Sequence, residues 1–341
     1  MKRFFAREAA LNIYDIAKEA GVAISTVSRV LNNKDRVTPE TREKIQAVLD
    51  KYGYKPSAIA RGLVSKTMKT VAILSVDVRV PHYAQTAYTI EREFSKRSYN
   101  VIVCNTGGRL EETRRYAHNI AQGQVDGVVL VGSVFNKLGK DGEVAAALQG
   151  MPVVIANGRL DMPNAFSILV DDRLGISLAV NHLIQRGHHP ENIVYVEDLA
   201  TESAKIKRRG FLIALADQGV EGVKRRMFTT AYGLAGGRQA AEEILLSKSR
   251  PTAIVCGEDL TAVGVIKGLM ATGLRIPEDM AVTGYNNSEY SLICSPELTS
   301  VDNKGEMCAM LCVQLLESRI NGNNSFSSMT ITPELSARES S

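Results

Sequence analysis

The chain has 341 residues, 45% of them hydrophobic and 23% charged, an ordinary globular mix that excludes a disordered, collagenous or disulfide-stapled protein. Nothing approaches the roughly 18 consecutive apolar residues of a membrane span, and the charged start Met1-Lys-Arg-Phe-Phe-Ala-Arg-Glu lacks the apolar core of an export signal, so a cytoplasmic protein without membrane contact is expected. The net charge of +4 is uneven: residues 1–70 carry 14 Lys/Arg against 7 Asp/Glu, and the other 271 carry 27 against 30. A basic head on a mildly acidic body points to a polyanion met by the head.

Taken in chain order, Ile13, Ile16, Ala17 and Ala20 repeat at helical spacing, and Gly21 supplies a turn. Val27, Val30 and Leu31 form a second apolar stripe, leaving Ile24, Ser25, Ser28 and Arg29 to face outward. Asn32-Asn33-Lys34-Asp35 breaks that helix. Thr38-Pro39-Glu40 starts a third, with Thr as cap, Pro in the first turn and an acid beside the helix dipole. Ile45, Val48, Leu49 and Tyr52 give its buried face. Two helices across a tight turn, supported by a third, make a helix-turn-helix plan. A further short helix over Ser57–Ser65 is too brief to be stable alone.

Beyond residue 70, β-branched runs alternate with helical patterns. Val71–Val76, Val101–Val103, Gly127–Val131, Val153–Ile155, Ile193–Val196, Ala253–Cys256 and Ala281–Gly284 read as strands, and Tyr83–Arg97, Arg173–Arg186 and Leu260–Thr272 as helices between them. Such alternation implies doubly wound parallel sheets with helices on both faces, and the span suggests two lobes with a ligand crevice between them. That plan suits a solute-binding protein or an enzyme equally. The first needs export; for the second, no phosphate loop, HExxH, GxSxG or nucleophile–base pair is visible, so no catalytic residues are assigned. The five cysteines form no CxxC and read as reduced, mostly buried thiols. Cys308 and Cys312, one turn apart with no nearby His, are weak grounds for a metal, so neither metal nor cofactor is expected.

Asn12-Ile-Tyr-Asp-Ile-Ala-Lys-Glu-Ala-Gly-Val-Ala-Ile-Ser-Thr-Val-Ser-Arg-Val-Leu-Asn32 resembles the DNA-binding motif of the lactose/galactose-repressor (LacI/GalR) family, and Tyr52–Leu63 resembles its hinge. The resemblance implies an all-α helix-turn-helix head over 1–56, a hinge helix and linker over 57–69, and a periplasmic-binding-protein-like body over 70–341. In that body, lobe 1 would span about 70–168 plus 300–324, and lobe 2 about 169–299 plus 325–341. It further implies a homodimeric repressor on a pseudo-palindromic double-stranded operator, controlled by a small-molecule effector, carbohydrate or a related metabolite.

On this resemblance Arg29 can pair bidentately with a guanine and Ile24 can meet a thymine methyl. Ser25 is an adaptable base contact, Thr26 and Ser28 suit backbone contacts, and Asn32 is a further DNA-binding residue. Ser57 caps the hinge helix, and Ala60 and Leu63 face the minor groove, with Leu63 either a wedge that kinks DNA or a packing residue in a linker. Ala23 departs from the Ser or Thr that usually caps the recognition helix. Residues before Asn12 are also unusual; Lys2, Arg3 and Arg7 either add phosphate contacts or stay disordered.

Diffuse resemblance continues through the body. His82 and Tyr83 match a pair that contacts effector, Asp171 lies in Val170-Asp-Asp-Arg173, and Tyr232 matches a covering aromatic. Lys205 stands where relatives carry an effector-holding Arg, Asn286 where they carry Asp, and Glu258 where Asn or Gly is common. These departures imply either an effector with different polar demands, phosphorylated or amino-bearing, or a decayed site without a small-molecule response. No leucine heptad follows Pro333–Ser341, so dimers rather than tetramers are expected.

Overall fold

The computed structural model describes residues 12–31, 36–53, 67–198, 201–247, 250–324 and 327–341. They divide into a head ending at Met68 and a body beginning at Lys69.

The head contains α1 (Ile13–Ala20), α2 (Ile24–Leu31) and α3 (Pro39–Tyr52). Asn12 closes a capping box on α1, its side chain taking the amides of Tyr14 and Asp15 while Asp15 takes the Asn12 amide. Gly21 ends α1 in the left-handed conformation, at φ 63°, which glycine adopts without strain. Thr38 caps α3 and Pro39 follows it. Ile16, Ala17, Ala20, Val27, Val30, Ile45 and Leu49 close one small core. Tyr52, expected inside, sits on its rim at 39% exposure.

The body has two six-stranded sheets. The first runs in the order β11-β5-β4-β3-β1-β2, with β1 (Thr70–Ser75), β2 (Asn100–Asn105), β3 (Gly127–Val131), β4 (Val153–Ala156), β5 (Ala165–Val170) and β11 (Met329–Ile331), all pairs parallel. The second runs β12-β10-β9-β8-β6-β7, with β6 (Ile193–Glu197), β7 (Met227–Thr229), β8 (Ala253–Cys256), β9 (Ala281–Tyr285), β10 (Thr299–Asp302) and β12 (Glu334–Ser336); β12 alone pairs antiparallel, with β10. The inner strands β3, β4, β6 and β8 are buried on both faces, which explains their continuous β-branched character, whereas the edge strand β2 leaves Ile102 and Val103 exposed.

Alternate residues feed opposite cores. Val71, Ile73 and Val129 pack beneath α4 (Pro81–Lys96) and the long α12 (Gly305–Ile320), while Ala72, Leu74 and Val128 meet α5 (Leu110–Gln122) and α6 (Gly142–Leu148). In the second lobe, Val194, Ile254 and Val282 face α9 (Leu234–Leu246) and α10 (Asp259–Ala271). Ile193, Tyr195 and Val255 face α7 (Asp172–Gln185) and α8 (Glu202–Ala216). The helix α11 (Tyr290–Ile293) is short, and α12 (Gly305–Ile320) returns to the first lobe.

The chain crosses between lobes three times, from Val170 to Asp172, from Asp302 to Gly305, and from Ile331 to Glu334. The first and third crossings are joined by the Asp171 amide on the Ile331 carbonyl at 3.0 Å. Lys304, itself in the left-handed region at φ 56°, ties the second to the third through Asp302 (3.1 Å) and Glu334 (2.6 Å). These crossings correct the expected lobe limits. Val170 completes a strand of the first sheet, Thr299–Asp302 belongs to the second sheet, and Met329–Ile331 belongs to the first.

Candidate functional site

Both sheets place their strands in the order 2-1-3-4-5, and in such sheets the crevice lies beyond the carboxyl ends at the point where the order reverses. A cleft of about 900 Å³ occupies that position between the lobes. Val131, Ala156 and Val170 end strands of the first lobe there; in the second, Glu197 ends β6, and Gly257 and Asn286 directly follow β8 and β9.

The first lobe contributes His82 and Tyr83 from the first turn of α4. Their rings lie 3.9 Å apart between centroids. Burial, reinforced by the charge of Lys207, pulls the His82 imidazole down to about 3. Burial and the negative Glu258 push the Tyr83 phenol up.

The second lobe contributes a network of buried charges. Lys207 lies on the apolar face of α8, donates to the Gly257 carbonyl at 2.9 Å, stands 3.6 Å from Glu258 Oε1 and covers the Tyr285 ring at 3.7 Å. Glu258 begins α10, where the helix dipole favours an acid, yet burial pushes its carboxyl up to about 8 against the pull of Lys207. Asn286, at φ 98°, donates to Glu258 and accepts from Asn303 at 2.8 Å. Asp198 accepts from the Thr261 hydroxyl, and burial raises it too.

Two further acids support the floor. Asp259 takes Ser300 (2.6 Å) and both donors of Ser288 (2.7 and 2.8 Å), and burial still raises it to about 6. Asp172 takes the Tyr285 hydroxyl at 2.7 Å, the Ser203 hydroxyl, and Asn157 from the opposite lobe at 3.2 Å. A Cβ at Gly175 would lie 2.7 Å from the Tyr285 hydroxyl, so only glycine leaves room for that bond. This is a binding arrangement: polar groups from both lobes converge on one cavity.

The structure therefore brings together His82, Tyr83, Glu258 and Asn286. Three expected residues fall elsewhere. Lys205 points outward, its ammonium 2.6 Å from Glu202 and its side chain 49% exposed. Two positions turn a helix through roughly 200°, so Lys207 rather than Lys205 faces the cleft. Asp171 caps α7 by accepting the Leu174 amide at 3.0 Å, and Asp172, one residue on, holds the buried network. Tyr232 is half-buried beside the cleft but is not in its wall; burial and the charges of Glu258 and Asp198 raise its phenol. Sequence reasoning missed Lys207, Asp172 and Asp198. The first was findable, because Ala204, Lys207, Phe211 and Ala214 form one helical stripe with a cation in an apolar row.

In the head, Val27 and Val30 anchor α2, while Ile24, Ser25 and Arg29 are exposed on its other side and Thr26 and Ser28 are half-buried. That exposed face has the size and polarity for a groove of DNA. Asn32, Ser57, Ala60 and Leu63 lie outside the described residues, as does the segment before Asn12. Four of the cysteines are buried and Cys294 is half-buried, all as free thiols. Among the described residues no helix is long and apolar enough to cross a membrane, and no three His, Cys, Asp or Glu residues are grouped to hold a metal.

Residues 12–57 match the family described as bacterial regulatory proteins, lacI family, and residues 180–341 match a periplasmic binding protein-like domain. An HTH-type transcriptional regulator of Lachnoclostridium phytofermentans is 33% identical over 331 residues, covering 96% of this chain and 99% of that protein. Catabolite control protein A of Priestia megaterium is 31% identical over 329 residues, covering 95% and 96%. Among solved structures, a complex of the transcriptional regulator CelR with cellobiose has a TM-score of 0.71 at 26% identity, over 97% of this chain and all of that one. A lac repressor dimer bound to operator and the anti-inducer ONPF shares the fold, with a TM-score of 0.84 at 24% identity over 97% and 99%. The chain belongs to the lacI family of bacterial regulatory proteins, DNA-binding transcription regulators.

Proposed function

We propose that this regulator is a cytoplasmic repressor, homodimeric on a pseudo-palindromic operator, whose affinity for DNA is set by a small metabolite held in the interlobe cleft. The observation that carries this reading is the cleft itself, which draws His82 and Tyr83 from one lobe and Lys207, Glu258 and Asn286 from the other. A ligand touching both walls favours one lobe angle over another, and that difference in affinity is what shifts the equilibrium. The cellobiose held by the similar CelR supports a carbohydrate or related effector. Lys207, Glu258 and Asn286 are held in place by one another, by Asn303 and by the Gly257 carbonyl, a fixed polar wall that suits ligand binding.

On the DNA side, Ile24, Ser25 and Arg29 read bases, and Thr26, Ser28 and Asn32 hold the backbone. By its resemblance to the family's hinge, the 57–69 segment is assigned to DNA binding, with Ser57, Ala60 and Leu63 as the residues to test. Two hinges brought together by the dimer would couple lobe angle to operator grip.

The test is selection of bound duplexes from a random pool with the purified chain. A two-fold symmetric consensus with half-sites about one helical turn apart is expected. Failure to enrich any sequence, with or without a metabolite extract, would overturn the reading.

A further inference from the structure

The deep end of the cleft holds more acid than base. Glu197, Asp198 and Glu258 line it, each no more than 9% exposed, and Asp172 and Asp259 lie directly behind. Against these five carboxyls stand Lys207, already committed to the Gly257 carbonyl and the Tyr285 ring, and Arg208, which pairs with Glu197 at 3.5 Å. Lys304, at the rim, is held by Asp302 and Glu334. His82 carries no charge to offset them, because burial keeps it neutral.

Asp198 takes the Thr261 hydroxyl on Oδ2, and its carboxyl also receives its own backbone amide. Two hydroxyls, in contrast, wait for a partner. Tyr83, 8% exposed, and Tyr195, 1% exposed, both line the cleft, and neither hydroxyl bonds to a described residue. Polar groups in such a cavity are ordinarily satisfied, so the two hydroxyls that line the cleft are places for a ligand.

We infer that the effector is a small polyhydroxylated molecule carrying an ammonium group, an amino sugar being the simplest, with its cation against Asp198 and Glu258 and its hydroxyls on Tyr83 and Tyr195. This rests on the reading of the cleft as an effector site and narrows it. A phosphate would add negative charge to a site already rich in it. A neutral sugar would satisfy the hydroxyls and leave the acids uncompensated. An ammonium does both, and the tyrosine faces favour it further. Seating it would also discharge a proton. Lys207, His82, Asp198, Asp259 and Asp172 surround Glu258, together with the phenols of Tyr83, Tyr195, Tyr232 and Tyr285. The cations among them favour the carboxylate and the anions favour the acid. An arriving ammonium moves that balance toward the carboxylate.

The experiment is titration calorimetry on the full-length dimer near pH 7, using glucose, galactose and mannose, each as the neutral, 2-amino, N-acetyl-2-amino and 6-phosphate form. Saturable binding confined to the 2-amino forms is expected, with heats that scale with the buffer's ionisation heat in the sense of proton release. Asp198→Asn and Glu258→Gln, each checked by its own melting curve, should weaken that binding about tenfold or more. Binding of neutral, acetylated or phosphorylated forms in preference would overturn the ammonium assignment and leave the cleft as an effector site. So would amine binding untouched by both substitutions. Silence across the whole panel would overturn this inference, whereas the effector reading falls only if a metabolite extract also leaves the protein's melting curve and DNA binding unchanged.

Discussion

His82 Nδ1 and Glu258 Oε2 face each other across the cleft at 3.7 Å, one from each lobe, and near neutral pH neither is fully charged. The pair is too far apart for a hydrogen bond. Burial suppresses both ions, the imidazolium because Lys207 is near, the carboxylate because Asp198 and Asp259 are. A site poised in this way responds to any ligand that restores one of the charges.

Glu258 gives the apo protein a pH dependence of defined sign. Its folded value near 8 lies above the ordinary 4.5, so the native state holds a proton that the unfolded chain has released. The stability this contributes is present at low pH and is lost as pH rises through 8. The depressed histidines His82, His182 and His188 act oppositely, but chiefly below pH 7, where the unfolded chain binds their protons. Urea unfolding of the wild type between pH 7 and 8.5 should therefore lose about 1 kcal/mol more than Glu258→Gln does. Parallel curves for the two proteins would show that Glu258 is ionised throughout.

The two neighbouring lysines of α8 should behave very differently. Lys207→Met keeps the apolar stem but abandons the Gly257 carbonyl and the Tyr285 ring, and should cost about 1–3 kcal/mol in urea unfolding. Lys205→Met loses an exposed pair with Glu202 and should stay within about 0.5 kcal/mol of wild type. Equal effects would mean that the helix is rotated from the phase described.

On the head, Arg29→Ala should lower operator affinity by about 1–3 kcal/mol and relax one base position in the selected consensus. The residue is exposed and remote from the small core formed by Ile16, Val27 and Ile45, so the fold of the head should survive. A uniform loss of affinity with unchanged base preference would reassign Arg29 to the phosphate backbone.

Much of this architecture is legible from residue pattern. Val71–Val76 and its inner-strand counterparts read as buried strands because both of their faces are covered, and the amphipathic spacing of Ile16, Ala20, Val27 and Val30 gives the head. The lobe limits are not legible, because a crossing of two or three residues leaves no mark in composition: Thr299–Asp302 and Met329–Ile331 serve sheets opposite to those expected. In the site, residue type was read better than position. Asp171 and Lys205 each stand within two places of the residue that faces inward, Asp172 and Lys207. The deciding information was helical phase, since both inward residues continue the buried stripes of α7 and α8. Asp198 follows the end of a strand, where no periodicity exists to reveal it.

The three crossings between lobes carry a mechanical consequence. Each is only a few residues long, and they are bonded to one another through Asp171, Ile331, Lys304, Asp302 and Glu334. Three straps riveted side by side resist sliding and torsion and yield mainly to bending. The body is thus built as a clasp, and on the function proposed above a ligand, wherever it touches the walls, would act through one angle between the lobes.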